Sequence, residues 1–100
     1  MLHTVNKSPF EKDSLETCFR LAKDGSDILL LEDAVYAAIV GTRLEGKMHE
    51  ALERCAVFAL EADVRARGIE SRDLIPGISI VDYDGFVDLA INNECVQCWL

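Results

Sequence analysis

Short apolar runs recur along this chain and alternate with segments of helical periodicity, and this alternation restricts the fold more than any other feature. DILLLE (27–32), AVFAL (56–60) and ISIVDY (78–83) are only a few residues long and rich in Leu, Ile and Val. Continuous apolar runs of this length are typical of strands that are covered on both faces, as in a parallel sheet. MLHTV (1–5) and VQCWL (96–100) predict a first and a last strand.

Segments of helical period fill the intervals between the predicted strands. Ser14 is a capping residue type, and the apolar stripe of the helix that it opens runs through Cys18 to Ala22. Asp33 follows Glu32 at a strand end, where helix capping is favoured over an acid–base role for the pair. Further helices are predicted over DAVYAAIV (33–40), KMHEALERC (47–55), EADVRARG (61–68) and DGFVDLAINN (84–93).

The resulting order, β-α-β-α-β-α-β-α-β, predicts the fold class. Strands that alternate with helices at this spacing form parallel sheets through right-handed crossovers. We therefore expect an α/β three-layer sandwich with a small, mostly parallel five-stranded sheet and helices on both faces. No repeat, linker or low-complexity tract divides the chain, so residues 1–100 are predicted to form a single domain.

The charge balance excludes several classes of partner. A net charge of −8 with no cluster of Lys and Arg argues against direct binding of nucleic acid. No apolar run approaches the roughly 20 residues that a membrane-spanning helix needs, and MLHTVNKSPF (1–10) lacks the apolar core of a signal peptide. We expect a cytoplasmic protein with no membrane association and with reduced thiols.

Motifs that bind common cofactors are missing from the loops after the predicted strands. There is no G-x-G-x-x-G, no Walker-type G-K-S/T and no G-x-S-x-G, which disfavours dinucleotides, triphosphates and hydrolase chemistry. The cysteines and histidines lack the spacing of a structural zinc site. We expect no cofactor and no metal, a hydrogen-bonded structural role for His3 between its apolar neighbours, and a solvated His49.

The four cysteines differ in what their positions indicate. Cys95 and Cys98 form a C-x-x-C pair, a spacing that can lower a thiol pKa. In a strand, however, residues i and i+3 point to opposite faces, and no helix follows the pair to stabilise a thiolate. Cys55, at a helix–strand junction, is expected to be small apolar filler, and the helical period favours a core position for Cys18.

The blocks LHTVNKSPF (2–10), LLEDAVYAA (30–38) and VDYDGFVDL (81–89), with ARGI (66–69) and the terminal WL, resemble the DsrH/TusB family. This is the smallest subunit type of the DsrEFH and TusBCD sulfur-relay complexes. The resemblance implies a subunit of this α/β fold that joins DsrE-like and DsrF-like subunits in a heterohexamer. It also implies that persulfide sulfur passes to a DsrC-type carrier and that the principal acceptor cysteine lies on the DsrE-type subunit.

The resemblance also implies a role for Cys18, because SLETC (14–18) places it where the DsrH branch carries a cysteine that typical TusB proteins lack. Cys18 is therefore the candidate persulfide site, in a non-principal subunit of a sulfurtransferase complex of oxidative sulfur metabolism. Three alternatives stay open: a purely structural subunit of the same complex whose thiols are all silent, a TusB-type subunit in tRNA 2-thiouridine synthesis, and a stand-alone thiol oxidoreductase that uses Cys95 and Cys98. Half of the residues are apolar, which favours a chain that needs partners to cover its surface.

Overall fold

The structure is a computed structural model that describes residues 1–100. A five-stranded sheet lies at the centre of the molecule. All of its neighbouring strands are parallel. The strands are β1 (Leu2–Val5), β2 (Asp27–Leu30), β3 (Ala56–Leu60), β4 (Ser79–Val81) and β5 (Val96–Trp99). Their order across the sheet is β4-β3-β2-β1-β5. Each predicted strand is confirmed.

Helices occupy the predicted intervals and lie on both faces of the sheet, so the predicted fold class is confirmed. None of these helices is long and apolar enough to cross a membrane. The α-helices are α1 (Ser14–Leu21), α2 (Glu45–Arg54), α3 (Glu61–Ala66) and α4 (Tyr83–Asn92), and 3₁₀ helices form over Glu32–Ala38 and Ser71–Asp73. The segment DAVYAAIV therefore begins as a 3₁₀ helix rather than as the expected α-helix.

Two of the expected helix caps are wrong, and in both cases a distant partner holds the side chain. Ser14 is the first residue inside α1, and its hydroxyl donates to the carbonyl oxygen of Leu100 at 3.0 Å. The Asp33 carboxylate makes no capping bond and instead accepts from Arg67 at 2.8 Å. Asp82 does cap α4, because its Oδ1 accepts the backbone N–H of Gly85 at 2.8 Å.

The main core lies on one face of the sheet. From β1, each new strand up to β4 is added on the same side of the previous one. Because the crossovers between parallel strands are right-handed, the helices of these three connections all lie on one face of the sheet. The side chains that meet there come from alternate strand positions and from the intervening helices: Val5, Ile28, Leu30, Val57, Ala59, Leu15, Phe19, Met48 and Val64.

The other face is covered by α4 alone. The chain reverses direction after β4 and returns across the sheet to place β5 beside β1, so α4 must pass over the opposite face. Leu2 and Leu29 are fully buried on that face, outside the main core. Asn93, at the end of α4, donates to Oδ2 of Asp27 at 3.0 Å. Unlike α1, α2 and α3, α4 contributes no buried residue.

A histidine–tryptophan hydrogen bond fastens the edge strand β5 to β1. Trp99 Nε1 donates to Nδ1 of His3 at 3.0 Å, and His3 is only 5% exposed. Because Nδ1 accepts, the neutral ring carries its proton on Nε2. Burial lowers the pKa of His3, with a smaller contribution from the positive charge of the chain's amino terminus. The structural role expected for His3 is confirmed, and His49 is exposed as expected.

Acidification should weaken the fold through His3. A histidine whose folded-state pKa lies below its unfolded value of about 6.5 takes up a proton more readily when unfolded, so stability falls as pH falls through that value. We expect the free energy of unfolding, measured by urea titration between pH 7 and pH 5, to decline less in His3→Asn, whose amide oxygen can still accept from Trp99. His49→Asn is the control, and an equally steep decline in both variants would contradict the assignment.

Candidate functional site

Arg67 joins the segments that follow β2 and β3 at the carboxyl edge of the sheet, where ligands of open α/β sheets bind. Its Nη2 and Nε lie 2.8 and 3.0 Å from Oδ1 of Asp33, and its Nη1 lies 3.6 Å from Oδ1 of Asp63. The guanidinium also lies 5.9 Å from the ring centroid of Tyr36. Its hydrogen bond to Asp33 is the main reason that the pKa of Arg67 is raised. The charges in this cluster are directed at one another rather than at an open cavity.

Glu32 adopts a strained backbone conformation beside this cluster, with φ at 49°. A left-handed conformation at a residue other than glycine costs on the order of 1 kcal/mol. The Glu32 N–H donates to Oδ2 of Asp63 at 2.8 Å, which holds the turn in place. Asp63 and Asp33 are therefore both engaged in structural contacts. Glu32 and Asp33 do not form an acid–base pair, as the sequence also indicates.

A groove between α1 and α2 carries charges of both signs. Lys47 Nζ lies 2.9 Å from Oε2 of Glu16, and this hydrogen bond lowers the pKa of Glu16. Mixed charges of this kind give no preference for an anion or a cation. No group of three or more His, Cys, Asp or Glu side chains is placed to hold a metal ion. The groove is lined chiefly by Asp13, Glu16, Arg20, Lys47, Glu50 and Arg54.

Cys18 lies in the middle of α1 with its side chain in the main core, where it is 0% exposed. Burial, with a smaller contribution from nearby Cys55, raises the pKa of the Cys18 thiol to about 12. A thiol with this pKa is almost entirely protonated at neutral pH, and the thiolate is the form that attacks sulfur. The role of Cys18 as a persulfide site stays a prediction, and in this conformation its thiol is neither accessible nor ionised.

The other three cysteines divide into one buried and two exposed thiols. Cys55 is buried, and its Sγ donates weakly to the carbonyl oxygen of Lys23 at 3.6 Å, which confirms it as core filler. Cys95 lies just before β5 and Cys98 lies within it, and both are exposed free thiols. Cys98 is paired in register with Thr4, and the next residue, Trp99, packs against the main core. Cys98 therefore faces the side of the sheet that α4 only partly covers.

Thiol labelling should divide the four cysteines in the same way. In the native protein at pH 8, we expect Ellman's reagent to modify Cys95 and Cys98 quickly and to leave Cys18 and Cys55 unmodified, because only the first two are exposed. All four should react after denaturation in guanidinium chloride. Peptide mass mapping identifies the modified residues, and fast native labelling of Cys18 would contradict its burial.

An apolar stripe on the outer side of α4 is the feature that the sequence patterns did not predict. Tyr83 and Ile91 are 70% and 72% exposed, and Val87, between them, is also exposed. These residues recur every four positions and therefore share one side of the helix. The signal was available in the sequence, since DGFVDLAINN has apolar residues on more than one side of a helix and no basic residue follows Arg72. A surface helix normally has a polar outer side.

Comparisons with known proteins give matches along almost the whole chain. A family model described as DsrH like protein matches residues 7–96. A protein named Protein TusB from Escherichia coli O1:K1 / APEC is 36% identical over 102 residues, which cover 99% of this chain and 100% of that protein. Protein TusB from Enterobacter sp. (strain 638) is 37% identical over 99 residues, with the same shares covered.

Solved structures match the fold. The crystal structure of the ychN protein from E. coli has a TM-score of 0.83 at 23% identity and covers 97% of each chain. The protein of unknown function MTH1491 from Methanobacterium thermoautotrophicum has a TM-score of 0.70 at 13% identity, covering 97% of this chain and 95% of the other. At these identities the likeness supports the α/β architecture alone.

Proposed function

The chain belongs to the DsrH/TusB family, and from that membership we propose that it is a subunit of a cytoplasmic sulfur-relay complex that handles cysteine persulfide sulfur. The family match over residues 7–96, together with relatives named TusB, carries this proposal. We further propose that residues 1–100 act as one domain and that its partners are DsrE-like and DsrF-like subunits in a heterohexamer. Five strands that span the chain from β1 to β5 form one continuous sheet, which supports a single domain.

Within such a complex, we propose that this subunit contributes assembly and that neither of its buried thiols is the sulfur acceptor. In sulfur relay, an acceptor thiolate attacks the terminal sulfur of a donor persulfide, the donor S–S bond breaks, and the donor cysteine leaves as a thiolate. The acceptor must be exposed and partly ionised. Cys18 is buried with its pKa raised to about 12, and Cys55 is buried as well. These properties count against Cys18 and Cys55 as acceptors, and they leave Cys95 and Cys98 as the exposed thiols of this chain.

Two pathways have separate support. The name TusB of the relatives at 36% and 37% identity favours a relay that supplies sulfur for tRNA 2-thiouridine. The cysteine in SLETC favours the DsrH branch, in which sulfur passes to a DsrC-type carrier during oxidative sulfur metabolism. Burial of Cys18 weakens the second argument, because a core cysteine can be retained for packing alone.

Deletion of the gene in its own host should distinguish the pathways. Loss of 2-thiouridine from hydrolysed tRNA, measured by liquid chromatography and mass spectrometry, is the result expected for the TusB-type relay. Normal 2-thiouridine with impaired oxidation of reduced sulfur would support the DsrC-linked pathway. A deletion that changes neither would contradict the proposed function, and reintroducing the intact gene is the control.

Loading with a sulfane sulfur donor tests the division of roles. After incubation of the native complex with thiosulfonate or polysulfide, we expect peptide mapping to find no added sulfur on Cys18, because its thiol is buried and protonated. Cys18→Ala should restore the deletion strain as well as the intact gene does, with Cys55→Ala as the matched control. Sulfur bound to Cys18, together with failure of Cys18→Ala, would establish the candidate persulfide site. A reversible disulfide between Cys95 and Cys98, needed for activity, would support the thiol oxidoreductase instead.

A further inference from the structure

One side of α4 and the adjoining edge strand form a surface that the chain itself leaves uncovered, here called the α4 face and made of Tyr83, Val87, Ile91 and Val96. We propose that the α4 face docks a partner protein whose own contact surface has an apolar centre and a rim of Lys and Arg. The identification of that partner as the DsrE-like or DsrF-like subunit rests on the proposed function.

The apolar residues of the α4 face are arranged as a continuous contact surface rather than as isolated exposures. Tyr83, Val87 and Ile91 follow one another at intervals of one helical turn, and Val96 is exposed on β5 at the same face of the sheet. By contrast, Phe10 is partly covered by Arg43, whose guanidinium lies 5.5 Å from the ring centroid, and Leu21 stands in the last turn of α1. Contiguous exposed apolar residues mark interaction sites, whereas single ones are ordinary.

The layer to which α4 belongs is incomplete. Adjacent strands lie about 4.8 Å apart and a helix with its side chains is about 10 Å wide, so one helix covers roughly half the width of this sheet. Ala56, Ser79, Val96 and Cys98 share this face of the sheet and remain exposed. A partner packed beside α4 would complete the third layer and cover both the helix stripe and the bare strands.

The charges around the α4 face decide what kind of partner fits. Residues 73–100 contain no Lys or Arg, and their carboxylates take part in none of the ion pairs of the molecule. A basic rim on the partner would satisfy these charges. The acidic residues on α4 or beside its ends are Asp82, Asp84, Asp88 and Glu94.

The same charges disfavour the other occupants. A second copy bound through a two-fold axis would bring the same acidic patch, with Asp84 and Asp88, to both sides of the contact, and like charges opposed across an interface are unfavourable. Nucleic acid and anionic lipid surfaces carry negative charge and would be repelled. A basic-rimmed protein is therefore the occupant that the surface favours.

Co-expression with the DsrE-like and DsrF-like subunits of the same genome tests the inference. We expect the wild-type chain to co-purify with them and Ile91→Asn to weaken assembly about tenfold or more. Asp84→Lys with Asp88→Lys should weaken assembly by repelling the basic rim, so that added salt strengthens the assembly of this variant and weakens that of the wild type. Leu21→Asn and Glu53→Lys, which change an exposed apolar and an exposed acidic residue elsewhere, should assemble as the wild type does. Circular dichroism should show that every variant is folded, because each substituted side chain is exposed.

The outcomes separate this inference from the proposed function. If the wild type and the α4-face variants assemble equally well, the docking surface is wrong and the proposed function stands. If the wild type assembles with neither subunit, both are overturned. The remaining alternative is that a second copy of this chain occupies the α4 face. Light scattering on the isolated chain tests it, because a homo-oligomer that dissociates in Ile91→Asn would show such a contact and contradict the inference.

Discussion

Right-handed crossovers between parallel strands determine where every other feature of this molecule lies. The sheet grows from β1 through β2 and β3 to β4, so the helices of these connections are all placed on one face. The single reversal after β4 sends α4 alone across the other face. This order produces a thick helical layer with a packed core on one face and a thin layer of one helix on the other. The two layers differ in how far their side chains are exposed.

The thick layer explains the state of Cys18. α1 is packed between its neighbours and the sheet, so a cysteine on its inner stripe is surrounded by apolar side chains such as Phe19 and Leu15. The low polarity of this environment disfavours the thiolate and raises the pKa of Cys18 to about 12. The thin layer has the opposite character, because the outer side of α4 remains apolar and its acidic residues remain unpaired. The interior of α1 is therefore poorly suited to sulfur chemistry, and the outer side of α4 is suited to protein contact.

Much of the fold was predictable from the sequence, because the signals for it are local. The apolar runs DILLLE and AVFAL form strands as their composition indicates, although only the first is covered on both faces, and the period of the first helix correctly placed Cys18 in the core. The errors arose where a residue distant in sequence supplied the partner. Ser14 and Asp33 have the side chains of helix caps, but Leu100 and Arg67 hold them instead. No local pattern contains that information.

The strand order could not be predicted from local sequence patterns either, and it determines which side of α4 is exposed. In isolation, DGFVDLAINN is compatible with a helix buried on two sides, and only the return of the chain from one edge of the sheet to the other shows that nothing in this chain covers its outer stripe. The absence of Lys and Arg after Arg72 then becomes informative, because Asp84 and Asp88 stand on the same helix as the exposed apolar residues and form no ion pair. A chain built in this way keeps its thiol at position 18 inside its own core and leaves an apolar helix face open to protein contact.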